Sequence, residues 1–198
     1  FLSEAIRVEA LEELASWPRP SGRDRVLGLW RPLEPRPAEV AANALGPVLE
    51  AILKTAPSRV RIAAIHAAAR LSIREAGEAL HGILVEKLLP GEERAEALRA
   101  REALGDARLL DAARKAIAGD EPAVRIEGRR ILARLRPEEA AGTLAAALES
   151  GSTIERQGAL ASLAAMKDAK SVEIISRWMD RLLAKEVPPE LELDLLEA

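Results

Sequence analysis

The chain has no cysteine. That excludes disulfides, thiol catalysis, iron–sulfur ligation and covalent haem attachment within it. Its two histidines, His66 and His81, stand fifteen residues apart, whereas a helical metal pair needs a spacing of about three or four plus further ligands. No metal and no cofactor are expected. Aromatic residues are 2% of the chain, with one Phe, three Trp and no Tyr. Sheets draw on aromatic and β-branched residues; alanine and leucine, which dominate here, head the helix scale. An all-α fold is expected. A basic excess is also missing: net charge is -3 and the pI is about 5.7. Nucleic acid is therefore an unfavoured partner, reachable only through a local arginine stripe. No apolar run approaches the ~18 residues of a membrane helix, so no membrane insertion is expected.

Catalytic patterns are missing too. Gly22 and Gly28 do not make a phosphate loop, and no serine sits in a nucleophile elbow. The adjacent pairs Glu12-Glu13, Glu92-Glu93 and Glu138-Glu139 point apart on a helix. No catalytic residue is expected, and the chain reads as a non-enzyme. It begins at Phe1 without Met and stops at Glu197-Ala198 within a helical pattern, which reads as a piece of a longer protein.

What is present is a repeat. Val60-Arg61-Ile62 leads to Ala69-Arg70-Leu71, and Val124-Arg125-Ile126 leads to Ala133-Arg134-Leu135 at the same offsets. Weaker copies start at Glu93-Arg94 and Glu155-Arg156, and Ile6-Arg7 fits the same frame. The marker arginines Arg7, Arg61, Arg94, Arg125 and Arg156 are spaced by 54, 33, 31 and 31 residues. Each marked segment follows a helix-start signal such as Pro57-Ser58, Pro90-Gly91 or Gly151-Ser152-Thr153, where Pro fits the first turn and Ser or Thr caps free amides. Partner helices are expected at 38–55, 74–89, 106–118, 137–149 and 169–185, with a last one from near Glu190. Val60, Ala64, Ala67 and Leu71 lie on one helical stripe, and Val124, Gly128, Ile131 and Leu135 repeat it. Leu135→Ala is expected to cost ~2–5 kcal/mol.

Residues 18–37 break the period. They hold five of the twelve prolines, together with Val26, Leu27, Leu29, Trp30 and Leu33. An ordered excursion is expected, pinned onto the helices by Trp30.

Helix pairs in which Val-Arg opens the second helix, followed by small residues and a Leu, resemble HEAT repeats. The match is carried by Val60-Arg61 with Ala63, Ala64, Ala67 and Leu71, and by Val124-Arg125 with Ala133 and Leu135. The resemblance implies one α-solenoid over 1–198 of about five antiparallel helix pairs, wound as a right-handed superhelix. Second helices would line its concave face. It also implies that Arg61, Arg94, Arg125 and Arg156 form a structural ladder between repeats. The copies at Glu93 and Glu155 depart from the pattern, because Glu replaces the apolar residue. A narrower resemblance rests on Trp17, Asp24-Arg25-Val26, Trp30-Arg31-Pro32-Leu33 and Val187-Pro188-Pro189-Glu190-Leu191. These are similar to the helical-repeat segment of large exported bacterial proteins that join a sorbosone-dehydrogenase-like propeller to a c-type cytochrome domain. That resemblance implies an extracytoplasmic location and flanking domains as partners.

Two contact surfaces are expected. One is a mixed-charge row of His66, Arg70, Arg99, Arg130 and Arg134, interleaved with Glu96 and Glu127. The other is the excursion, with Arg23, Asp24, Arg25, Trp30 and Arg31, since Trp and Arg are frequent interface anchors. The expected function is a non-catalytic scaffold for protein–protein or interdomain contacts; the alternative is nucleic-acid backbone binding through the arginine row. A monomer is expected.

Overall fold

A computed structural model describes residues 2–24 and 26–198; among them are eleven α-helices and no strand. The all-α expectation holds. Helix α1 (Glu4–Ser16) starts at Ser3, whose hydroxyl accepts the Ile6 amide. The next are α2 (Ala38–Thr55), α3 (Ser58–Arg70), α4 (Gly77–Val85) and α5 (Gly91–Ala103). After them come α6 (Leu109–Ile117), α7 (Pro122–Leu135), α8 (Pro137–Ser150), α9 (Thr153–Met166), α10 (Ala169–Leu183) and α11 (Pro189–Glu197). Pro122, Pro137 and Pro189 occupy first-turn positions, where a missing amide costs nothing. Asp168 caps α10 by accepting the Ser171 amide at 2.8 Å.

Two expected helices are shorter than their patterns. The span 74–89 becomes a 3₁₀ turn (Arg74–Ala76) followed by α4, which ends at Val85. Glu86 accepts the Leu88 amide through its side chain at 3.0 Å, a local bond that competes with continuing the helix. The span 106–118 is helical only from Leu109 to Ile117. Conversely, α2 runs straight through Pro47. That proline has no amide to offer the Asn43 carbonyl one turn earlier.

The chain divides into two compact units, residues 1–106 and 107–198. In the first, α1, α3 and α5 pack side by side in chain order, α2 lies against α3, α4 lies against α5, and α2 touches α4. Its core holds Leu45, Leu49, Leu53, Ile65, Leu80 and Leu98. The expected stripe of Val60, Ala64, Ala67 and Leu71 is buried here.

In the second unit, α7, α9 and α11 pack side by side, α6 lies on α7, and α8 contacts α7, α9 and α10. Ile131, Leu132, Leu144, Leu148, Leu160, Leu163, Trp178 and Leu191 fill its core. Val124, Gly128 and Ile131 are buried as expected, but Leu135 is only half-buried. The buried leucine of that turn is Leu132. Helices α6 and α7 approach so closely at Gly128 that a Cβ there would stand 2.8 Å from the Ala113 carbonyl oxygen.

Candidate functional site

Four of the five marker arginines, all but Arg7 in α1, lie at the first turns of α3, α5, α7 and α9, and each of the four reaches back to a carbonyl near the end of the preceding helix. Arg61 donates to Leu53 at 2.9 Å and Ala56 at 2.7 Å, and Arg94 to Leu84 at 3.0 Å. Arg125 donates to Gly119 at 3.1 Å and Arg156 to Glu149 at 3.0 Å. These carbonyls have no donor within their own helix, so each arginine closes a helix end and ties it to the next helix.

Two of the four also reach forward. Arg61 donates to Glu93, thirty-two residues on, and Arg125 donates two bonds to Glu155, thirty residues on, at 2.7 and 3.0 Å. Glu93 and Glu155 are both buried. The two departures from the apolar pattern are thus the acceptors for the arginines of the preceding marked helix. Helices opening Val-Arg donate, and helices opening Glu-Arg receive. Arg129 adds a bond to Glu155 at 2.9 Å, and Ser152 adds its amide at 3.2 Å and its hydroxyl at 3.0 Å. Chiefly through the Arg125 bonds, and against the opposing cost of burial, the Glu155 carboxyl is held far below the ordinary carboxylate range.

The mixed-charge row falls partly in each unit. In the first, His66 Nε2 lies 3.0 Å from Glu96, and Arg99 pairs with the same carboxylate from one turn away. Arg70 is exposed at the end of α3. In the second, Arg130 donates twice to Glu127, at 2.9 and 2.6 Å, and Glu127 is buried. Arg134 is exposed one turn further along α7.

In the described part of the excursion, residues 18–24 and 26–37, Trp30 is, contrary to expectation, not seated on the helices. Trp30 is 71% exposed, and its ring lies over Gly22, where a Cβ would come within 2.6 Å of it. It folds the loop onto itself and anchors nothing to the helices. The loop is a short hairpin. Arg23 and Trp30 form one antiparallel bridge, the Asp24 amide donates to Leu29 at 2.8 Å, and the Arg31 amide donates to Gly22 at 2.6 Å. Asp24 accepts the amides of Val26 and Leu27, both at 2.8 Å, and these bonds lower its pKa. Gly28 turns the chain at φ +69°, a left-handed conformation that favours glycine. The tie to the helices is made by Arg36. Its guanidinium stacks 3.7 Å above the Trp17 ring and its Nε donates to the Trp17 carbonyl at 3.0 Å. Arg25 lies outside the described residues.

The two expected surfaces meet in the first unit. A cleft of about 480 Å³ is lined by Ser16, Pro20 and Arg23 on one side and by His66 and Arg70 on the other, with Glu12 and Glu13 at its edge. Sequence reasoning missed Arg101, which is 1% exposed, donates to Asp106 at 2.7 Å and lies 3.2 Å from His81 Nδ1. Nothing in the apolar pattern of α5 marks that arginine as internal. Among the described residues no group of three or more His, Asp and Glu side chains is placed to hold a metal ion. No helix there is long and apolar enough to cross a membrane. Compared with family models, curated proteins and solved structures, the chain matches none.

Proposed function

We propose that this chain is a non-catalytic interaction module, built of HEAT-like helix pairs in a right-handed α-solenoid, that presents a surface to a protein or to flanking domains of its own parent. The observation that carries this reading is the hairpin at residues 22–31. It is ordered by its own hydrogen bonds, yet Val26, Leu27, Leu29 and Trp30 are 89%, 65%, 49% and 71% exposed. Several large apolar side chains exposed within one short turn are more than a surface ordinarily scatters singly, and they suit a contact surface. The side-by-side packing of α1, α3 and α5, and of α7, α9 and α11, supports the repeat reading. The arginine bonds that close successive helix ends support it too.

The nucleic-acid alternative is weaker. It needs the arginines of the row to be available to phosphate, and two of the four, Arg99 and Arg130, are each bonded to a carboxylate. The exported-protein context extends the reading: the module would space an oxidoreductase propeller from an electron-accepting cytochrome. Its support is that the residues of that motif, Trp17, Asp24 and Trp30, are the ones that shape the loop.

A photo-crosslinking amino acid placed at residue 30 tests the proposal in cells that make the full-length protein. A crosslink to a defined protein or flanking domain is expected. Crosslinking to nucleic acid, or none above a control at the exposed Lys170, overturns it.

A further inference from the structure

We infer that the first unit docks onto a second copy of this chain, the 22–31 hairpin of one copy entering the cleft between α2 and the Arg74–Val85 segment of the other. This deepens the interaction reading and rests on it. The hairpin supplies one half. Its turn is held by Asp24 and by three backbone bonds, so its apolar tip is already in the shape a partner would meet. An ordered tip forfeits little freedom on binding, and that raises affinity. The hairpin is also cationic against an acidic chain. The stretch 18–37 contains five arginines against Asp24 and Glu34, whereas the whole chain carries -3. One oxygen of Asp24 is taken by its own backbone and the other lies 3.7 Å from Arg31, so the exposed Arg19 and Arg23 set the character of the outer face.

The cleft supplies the other half. It has a volume of about 790 Å³, several times that of one Trp side chain, and its apolar lining includes Leu49, Leu71 and Ile73. Its charged residues are Glu39, Glu50, Glu75 and Glu78; Glu50 is paired with Lys54 one turn along α2. The Asn43 carbonyl, deprived of a helical donor by Pro47, belongs to the same wall. An apolar floor with carboxylates complements an apolar tip flanked by guanidinium groups. Both halves belong to one unit of one chain, so the contact either closes reciprocally into a dimer or runs head to tail. The sequence marked the hairpin as a contact surface but gave no access to the cleft, which is assembled from α2 and from residues 71–79.

Sedimentation of the full 198-residue chain from about 1 to about 300 μM, a range that captures weak specific contacts, gives the first test. Concentration-dependent association is expected, weakening at least tenfold when salt is raised, as steering by exposed charges requires. Two double variants follow: Leu27→Ala with Trp30→Ala removes the tip, and Glu39→Lys with Glu75→Lys reverses the cleft. Each alone should be monomeric with unchanged helicity and melting midpoint. Mixed one to one they should form a heterodimer, because one retains the cleft and the other the tip. A monomeric wild type, self-association that survives in either variant, or a mixture that stays monomeric overturns the inference. Anionic vesicles that bind a monomeric wild type through Trp30 would reassign the tip to a lipid surface and also overturn it. A crosslink from residue 30 to a different protein, with the chain monomeric, would leave the interaction reading standing and remove this one.

Discussion

Arg125 in α7 and Glu155 in α9 meet through two parallel hydrogen bonds of 2.7 and 3.0 Å, although thirty residues separate them in the chain. A forked arginine–carboxylate pair is among the stronger polar contacts a protein makes. Arg129 and Ser152 complete the shell around the acid. Helices α7 and α9 are therefore joined by polar geometry as well as by apolar contact.

The pH dependence of that pair has a definite sign. A carboxyl whose pKa is lowered on folding adds stability that is fully present above its unfolded value of about 4.3 and is lost as pH falls towards the folded value. The Glu155 carboxyl is lowered in this way. Glu155→Gln should cost about 3 kcal/mol at pH 7, because two arginines lose their buried counter-charge. It should also flatten the loss of stability below about pH 4. Urea unfolding at pH 7, 5 and 3 measures both; parallel pH profiles for the two proteins would refute the assignment.

Glu93 makes the corresponding test in the first unit. Glu93→Ala should destabilise by about 3–5 kcal/mol, since Arg61 remains half-buried without its acid. The double change Arg61→Met with Glu93→Leu should recover part of that loss. Recovery stays incomplete because the Leu53 and Ala56 carbonyls lose their donor. Thermal unfolding of the three proteins decides it.

Leu132 and Leu135 share α7 but differ in burial, at 1% exposed for Leu132 and only half-buried for Leu135. Leu132→Ala should cost about 2–5 kcal/mol. Leu135→Ala should cost less than half as much, in contrast to the value the repeat pattern alone suggests. Chemical denaturation of the pair checks the order.

Gly128→Ala should destabilise by about 1–3 kcal/mol. The added methyl meets the Ala113 carbonyl oxygen at 2.8 Å and the Ala116 Cβ at 2.9 Å. Neither is the end of a flexible side chain, so α6 must move away from α7. Gly46→Ala, where a Cβ meets nothing within 4 Å, serves as the control and should be neutral or slightly stabilising.

Arg36→Ala should loosen the excursion without unfolding its unit. It removes the cation–π contact to Trp17 and the bond to the Trp17 carbonyl. Amide exchange at residues 22–31 should change little, because the hairpin holds itself. Exchange of the residue-36 amide, which donates to the Pro18 carbonyl at 3.0 Å, should rise severalfold, with the melting midpoint nearly unmoved.

The helices were legible because their boundaries are written locally, in Pro57, Pro90 and Ser152. The apolar stripe at Val60, Ala64, Ala67 and Leu71 was legible because its period is that of the helix. Glu93 and Glu155 looked like faults for the same reason: a search for apolar periodicity has no place for an internal carboxylate whose partner lies thirty residues earlier. Trp30 was misread because a large aromatic in a loop is ordinarily an anchor. A glycine eight residues earlier offered the ring a nearer surface, and only the folded turn shows that. Arg36 meets a carbonyl nineteen residues away, and no spacing rule points there. Arg101 was hidden in the same way by Asp106 and His81, one of them on a different helix.

The alternation of Val-Arg and Glu-Arg openings constrains how such a chain can be lengthened or shortened over evolution. Deleting or duplicating a single helix pair would set an arginine opposite valine at the new junction, or leave a buried glutamate without its cation. Events that copy or remove two pairs together keep every donor matched. The interval such an event would span is 64 residues from Val60 to Val124, or 62 from Glu93 to Glu155.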